Sequence, residues 1–230
     1  MIGRLIFRVA RLIAAKDLRV ELRSRVVTNQ VLPFAAIVMV MFAFALNSDA
    51  VVSRVAPGLV WLATLFSLLI LVQRSFAIEN ADGATDALRA AGVDPSGIFL
   101  GKAMALAVQL AVLELVLLVS AVVLYSTELR VGGIVLLLVT FVAATVGLAL
   151  VGTLYGGLAG GVRGRETLLP LLLLPVVAPV LIGATRATES ALGTGGATVA
   201  DGWPWVGLLA VFVALFSVGG TLAFGPLIEE

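Results

Sequence analysis

The sequence of 230 residues contains no cysteine and no histidine. Without cysteine there is no disulfide, no thiolate nucleophile and no cysteine metal site. Without histidine the usual zinc ligand, the usual haem ligand and the usual general base are missing. The sequence also lacks a GxxxxGK(S/T) phosphate loop and a GxSxG nucleophile motif. We therefore expect no catalytic residue, no metal site and no ATP site within this chain.

Charge is scarce as well. Only 13% of the residues are charged and 61% are hydrophobic, and the mean hydropathy is +1.16. A soluble domain is nearer half apolar, with about a quarter of its residues charged. The excess apolar surface requires lipid as part of the solvent. We predict an all-α membrane protein that forms one transmembrane domain over residues 1–230.

Six apolar runs separated by polar stretches predict six transmembrane helices. The predicted spans are residues 31–46, 57–72, 98–124, 132–158, 168–185 and 204–224. Pro57-Gly58 is expected to open the second span, with Trp61 near the membrane interface. A loop rich in Gly, Thr and Ser is expected at 188–202.

Residues 1–28 are basic and amphipathic. Apolar residues recur at helical spacing, and Arg4, Arg8 and Arg11 lie on another face. This pattern is typical of an elbow helix in the membrane surface, with its apolar side towards lipid and its cations towards anionic headgroups. The alternative is a helix packed on a partner protein.

The distribution of cations predicts the orientation. Segments 1–30, 74–102 and 160–166 hold seven, three and two Lys or Arg residues, twelve in all, whereas the opposite loops hold three. Cytoplasmic loops carry the excess of cations. We therefore expect both termini, the 74–102 segment and the 160–166 loop to face the cytoplasm.

The 74–102 segment is the only long polar interval between two apolar runs, and it predicts a short helix. Asp82 or Thr85 can cap its first turn, Gly92 suits a left-handed residue beyond its last turn, and Asp94-Pro95 starts the next helix. We interpret it as a coupling segment that receives force from a soluble partner; the alternative is a solvated connector. Its candidate residues are Glu79, Asp82, Gly83, Asp86, Arg89 and Asp94.

Glu114 is an ionisable residue near the middle of the third predicted span, about 18 Å of helix beyond Lys102. Such a group is costly in lipid and usually faces a cavity or a partner. It either lines a conduit or contacts a neighbouring subunit, or it is a neutral acid hydrogen-bonded inside the bundle. Gln109 is also polar, but it lies about 140° around the same helix, so the two need not share a site.

Small residues and prolines mark the fourth and fifth spans. Gly152, Gly156 and Gly160 form a small-xxx-small pattern that lets helices approach closely, and we interpret them as packing residues. The fifth span contains three prolines, which remove backbone donors and bend a helix. A bent helix fits either a moving transport path or static packing. The prolines are Pro170, Pro175 and Pro179.

Four stretches resemble the haem exporter protein B family, CcmB. Asp17-Leu18-Arg19 is similar to a KDLR-like stretch before the first span, and APGLVWLATLFSLLI at 56–70 to a PG-x-x-W second span. FAIENADGATDALRAAGVDPSGIFLGK at 76–102 is similar to an acidic loop that ends in GK. TLLPLLLLPVVAPVLIGATRATES at 167–190 is similar to a Leu/Pro-rich fifth span. The central loop departs from the family at 91–95, where AGVDP replaces an apolar run.

This resemblance implies a six-span ABC-2-type permease in the bacterial inner membrane, acting as a homodimer with a separate CcmA-like ATPase subunit. It implies CcmC-like and CcmD-like membrane partners and a CcmE-like haem chaperone, with ATP hydrolysis tied to release of the loaded chaperone or to haem movement. In that setting the 74–102 segment is the ATPase-coupling segment. ATP acts only through the partner, haem is at most a substrate, and no nucleic-acid partner is implied.

The residues themselves favour a mechanical role. Only Met, Tyr or weaker ligands are available for haem iron, and a chain built to hold that iron would be expected to supply better ones. Two alternatives remain: a permease that exports another lipophilic substrate, such as a lipid, drug or polysaccharide, and an intramembrane enzyme. The missing histidine, and the lack of a second acid at the depth of Glu114, disfavour the enzyme.

Overall fold

The computed structural model describes residues 2–46, 48–83, 87–88, 90–125, 130–160 and 165–229. These residues are almost entirely helical, and none of them lies in a strand. The helices are α1 (Ile2–Ser24), α2 (Leu32–Ala45), α3 (Asp49–Asp82), α4 (Pro95–Tyr125), α5 (Ile134–Gly160), α6 (Arg165–Leu192) and α7 (Val199–Glu229). A π-helical turn, Val27–Val31, leads into α2.

Six helices, α2 to α7, are long and apolar enough to cross a membrane. Their large apolar side chains line the outside of the bundle as well as its core, which is the distribution that a lipid solvent permits. The prediction of an all-α protein with six spans is confirmed, and the chain is an integral membrane protein. Its six spans alternate in direction, so the loops alternate between two ends of the bundle. We call the end that holds the α3–α4 connection the basic end.

Two predicted boundaries are wrong. The second span begins at Asp49, eight residues before Pro57, which lies inside α3 rather than at its start. The fifth span continues to Leu192, so the predicted 188–202 loop shrinks to residues 193–198. Polar residues suggested a loop there, but Thr188 and Ser190 are buried and hydrogen-bonded inside the bundle. The polarity of Thr188 and Ser190 therefore reflects packing, whereas Arg186 in the same turns is exposed.

Helix α3 is the central helix of the bundle. In its most apolar window 67% of the residues are buried, against 11% in α7. Trp61 of α3 is 1% exposed, its ring centroid lies 5.1 Å from that of Phe141, and its Nε1 donates to Thr188 Oγ1 at 3.0 Å. The expectation that Trp61 sits at the membrane interface is wrong, because Thr188 satisfies the indole N–H that would otherwise seek headgroups.

Glycines of α5 let it pack closely on α3. A Cβ atom added at Gly152 would lie 2.9 Å from side-chain atoms of Leu68 and Val72, and one added at Gly156 would lie 2.7 Å from Val72 and even nearer to the Phe76 ring. Gly160 is the last residue of α5.

The three prolines lie inside α6, which continues through all of them. Pro175 and Pro179 are exposed and Pro170 is half-buried, whereas Leu173 and Val177 between them are buried in the core. The prolines therefore lie on the outer side of α6, away from its packed face.

We predict that Gly156→Ala destabilises the protein by about 1–3 kcal/mol, because the added methyl group overlaps the Phe76 ring and Val72. The matched control is Gly207→Ala on α7, where an added Cβ meets nothing within 4 Å and helix propensity favours alanine. Thermal unfolding of the two purified variants in one detergent measures the difference. Equal melting temperatures would show that α3 and α5 are not tightly packed at Gly156.

Candidate functional site

The connection between α3 and α4 contains a short helical turn. Gly83 has a φ of 61°, and its carbonyl accepts the N–H of Ala87 at 3.1 Å. Gly92 has a φ of 67°, and the N–H of Val93 donates to the Leu88 carbonyl at 3.1 Å, the bond of a Schellman motif. The predicted left-handed Gly92 is confirmed.

Asp82 is the last residue of α3, and because its side chain lies outside the described residues, the cap at Asp82 stays a prediction. The alternative cap, Thr85, lies outside the described residues. Asp86 and Arg89 also lie outside them, as do the side chains of Glu79 and Asp82.

This connection, residues 83–94, has an inner and an outer side. Leu88 and Val93 are half-buried and pack against the main core, whereas Ala87, Ala90 and Ala91 are exposed. Pairing of the two apolar residues across the end of the turn is the contact that accompanies a Schellman motif. Among its described residues, Leu88 and Val93 are therefore the contacts through which a force on the outer side would reach the core.

Asp94 and Pro95 start α4 as predicted. The Asp94 carboxylate accepts the N–H of Ser96 at 2.8 Å, which caps the helix, and Pro95 is its first residue. The Ser96 hydroxyl lies 3.4 Å from the Thr221 carbonyl of α7. The start of α4 and the last turns of α7 therefore meet at the basic end.

Helix α1 packs along the first two turns of α4. Positions for a Cβ on Gly97 and Gly101 lie within 3.0 Å of Val9 and Ile13 atoms respectively, so a larger residue at either glycine would push α1 away. The apolar side of α1, which we expected to face lipid, is divided: Val9 and Ile13 face α4, whereas Leu5 and Leu12 remain exposed. Its opposite side is exposed and basic, and carries Arg4, Arg8 and Arg11.

Lys102 forms a buried junction of three helices at this level. Its side chain is 3% exposed, and its Nζ lies 3.5 Å from Asp17 Oδ2 of α1 and 3.5 Å from Ser75 Oγ of α3. The Nζ also lies 4.6 Å from the centroid of the Phe76 ring. We call Asp17, Ser75, Phe76 and Lys102 the Lys102 junction. Sequence reasoning counted Lys102 among the cytoplasmic loop cations and missed this role, because nothing in a single sequence pairs it with a residue 85 positions away.

Gln109 and Glu114 face different neighbours. Gln109 lines a cavity of about 10 Å³ together with residues of the Lys102 junction and Thr153. Glu114 is 1% exposed, and its Oε2 contacts the Thr145 hydroxyl of α5. The structure therefore does not bring these two polar residues into one site.

Thr145 links Glu114 to α5. Thr145 Oγ1 lies 2.6 Å from the Phe141 carbonyl as well as against Glu114 Oε2. A hydroxyl has one hydrogen to donate. Thr145 therefore shares its hydrogen between the two oxygens if Glu114 is charged, whereas a neutral Glu114 can donate its own proton to Thr145. Among the described residues no group of three or more acids could hold a metal ion.

Comparison with known proteins places the chain in a family. The CcmB protein family matches residues 8–227. The chain belongs to the CcmB family. It is 31% identical over 214 residues to heme exporter protein B of Paracoccus denitrificans, covering 92% of each chain. It is 30% identical over 187 residues to heme exporter protein B of Rhodobacter capsulatus, covering 80% of this chain and 84% of the relative.

A third relative, heme exporter protein B of Haemophilus influenzae, is 28% identical over 212 residues, covering 92% of this chain and 91% of the relative. The resemblance drawn from the four sequence stretches is therefore confirmed at the level of the family. Names of this kind are consistent with a membrane transport subunit that is not itself an enzyme.

We predict that Glu114 is neutral and that Glu114→Gln therefore leaves expression and the melting temperature nearly unchanged, because an amide of the same size can donate to Thr145 in its place. Infrared difference spectra between Glu114→Gln and the unsubstituted protein should show the carbonyl stretch of a protonated carboxyl group. A carboxylate band in its place, or an unfolded variant, would contradict a neutral Glu114.

Proposed function

We propose that this chain is the permease subunit of an ABC transporter complex that serves haem export in cytochrome c maturation. Membership of the CcmB family carries this proposal, since relatives that cover nearly the whole chain are named heme exporter protein B. Export of another lipophilic substrate is the weaker alternative, because no relative named above supports it.

In this proposal a separate, CcmA-like ATPase subunit hydrolyses the ATP. The sequence has no phosphate loop of its own. The 83–94 connection supplies a surface for the ATPase, because its outer side is exposed while Leu88 and Val93 hold its inner side on the core. Closure of the ATPase would press on this surface, and the bundle would respond as a permease.

The remaining partners follow from the same proposal. A second copy of the chain would complete the permease, and CcmC-like and CcmD-like membrane proteins would present haem to a CcmE-like chaperone. Haem would be handled without iron ligation by this chain. Met39, one of the few available ligands, is fully buried, and its main-chain carbonyl accepts a hydrogen bond from Tyr125 at 2.7 Å.

The proposed orientation places the chain in the bacterial inner membrane with the basic end in the cytoplasm. Exposed arginines on the outer side of α1 support it, because cationic segments remain on the cytoplasmic side. Helix α1 must lie at headgroup depth there, since it packs on the first turns of α4.

The orientation is testable because the chain has no cysteine of its own. Ala90→Cys, on the exposed side of the connection, should react with a membrane-impermeant maleimide only after the cells are opened. Thr198→Cys, exposed in the turn before α7, should react in intact spheroplasts. The reverse pattern of labelling would place the basic end outside.

The proposed ATPase contact is testable by charge reversal. Asp82→Lys with Asp86→Lys should abolish co-purification of the ATPase, because the acidic segment would then repel the cations of a matching groove. The control is Ala200→Lys, which adds a cation at an exposed position of the opposite end. Normal co-purification and ATP hydrolysis with the reversed pair would exclude this segment as the contact.

A further inference from the structure

We infer that the Lys102 junction makes α1 a moving part of the permease, fastened to the connection and driven with it. This inference rests on the proposed function, in which an ATPase presses on the 83–94 connection. It adds the internal element that receives the force, and it assigns Asp17 and Lys102 as positioning residues for coupling.

The connection is flanked by the end of α3 and the start of α4, which we call its two arms. The Lys102 junction lies at the same distance from the connection on both arms. Ser75 is seven residues before Asp82, the end of α3, and Lys102 is seven residues after Pro95, the start of α4. Each distance is about 10 Å of helix. The two arms are therefore joined by Lys102 two turns below the connection, and a displacement of the connection moves both arms together.

The same lysine fastens α1 to these arms by charge. Lys102 Nζ and Asp17 Oδ2 are 3.5 Å apart, and their side chains are 3% and 12% exposed. Separating α1 from α4 would break an ion pair at a buried lysine, which is far more costly than breaking an exposed pair. Gly97 and Gly101 keep the two helices close enough for the pair to form.

Helix α1 is in turn stiffly joined to α2. Arg25 at the corner has a φ of 53°, and it is the one residue other than glycine with a positive φ in the described ranges. The Glu21 carboxylate accepts the N–H of Val27 at 2.6 Å, which ties the end of α1 to the π-helical turn. A helix moved at Asp17 would therefore carry the start of α2 with it.

The test separates this role from a merely structural one. Lys102→Met alone leaves Asp17 with only the exposed Lys16 as a cationic neighbour among the contacts described, and is expected to reduce the yield of folded protein. Asp17→Asn with Lys102→Met removes both charges while keeping their volumes, and buried ion pairs replaced in this way often remain stable. Lys16→Met is the matched control, because it removes an exposed lysine that lies 3.1 Å from the other oxygen of Asp17.

The measurements use the complex purified with its ATPase. In the neutral double variant we expect normal yield, normal ATPase content and continued ATP hydrolysis, but cytochrome c matured per ATP should fall roughly fivefold or more, as for a lost coupling between sites. Lys16→Met should keep the unsubstituted ratio. If the double variant keeps the unsubstituted ratio of cytochrome c matured per ATP, the Asp17–Lys102 pair serves stability alone.

A second readout needs no haem. Spin labels on Arg8→Cys of α1 and Ala87→Cys of the connection report the distance between them, since both positions are exposed and the chain has no other cysteine. A non-hydrolysable nucleotide should leave this distance unchanged in the otherwise unsubstituted complex and should change or broaden it in the double variant. The same response in both would overturn the inference. Failure of the unsubstituted chain to bind any ATPase would instead overturn the proposed function.

Discussion

A charged group inside a membrane protein has no water to solvate it, and this constraint organises the basic end of the bundle. Lys102 is held by a carboxylate, a hydroxyl and an aromatic face supplied by two other helices. Each of these two helices depends on a glycine. Helix α1 approaches α4 over Gly101, and the Phe76 ring of α3 fits against α5 because Gly156 has no side chain. Four helices are therefore positioned relative to one cation.

Helix α3 connects this charged junction to a neutral contact near its middle, at Trp61. Trp61 and Phe76 are fifteen residues apart, about 22 Å along the helix. Between them, Leu68 and Val72 pack against Gly152, so the intervening turns are held as a rod. A single hydrogen bond between Trp61 and Thr188 is weaker than a buried ion pair and can re-form elsewhere more readily.

Sequence reasoning found what local patterns encode. The six spans follow from apolar runs, and the left-handed Gly92 and the Asp94-Pro95 start follow from the backbone needs of helix ends. It could not find which element covers a given face. The apolar side of α1 was plain from its spacing, but periodicity does not distinguish lipid from α4 as the neighbour. Polar residues in α6 predicted a loop, because the partner of Thr188 lies 127 positions away in α3.

The stretches that carry the family resemblance meet in pairs across the structure. Asp17 of the first stretch contacts Lys102 at the end of the third, and Trp61 of the second contacts Thr188 of the fourth. One pair closes the basic end of the bundle, and the other locks α3 to α6 towards the opposite end. Neither pair holds a metal or a nucleophile. Both pairs join helices that are distant in the sequence, and under the proposed function, in which a separate ATPase moves the chain, such contacts between helices would matter more than reactive groups.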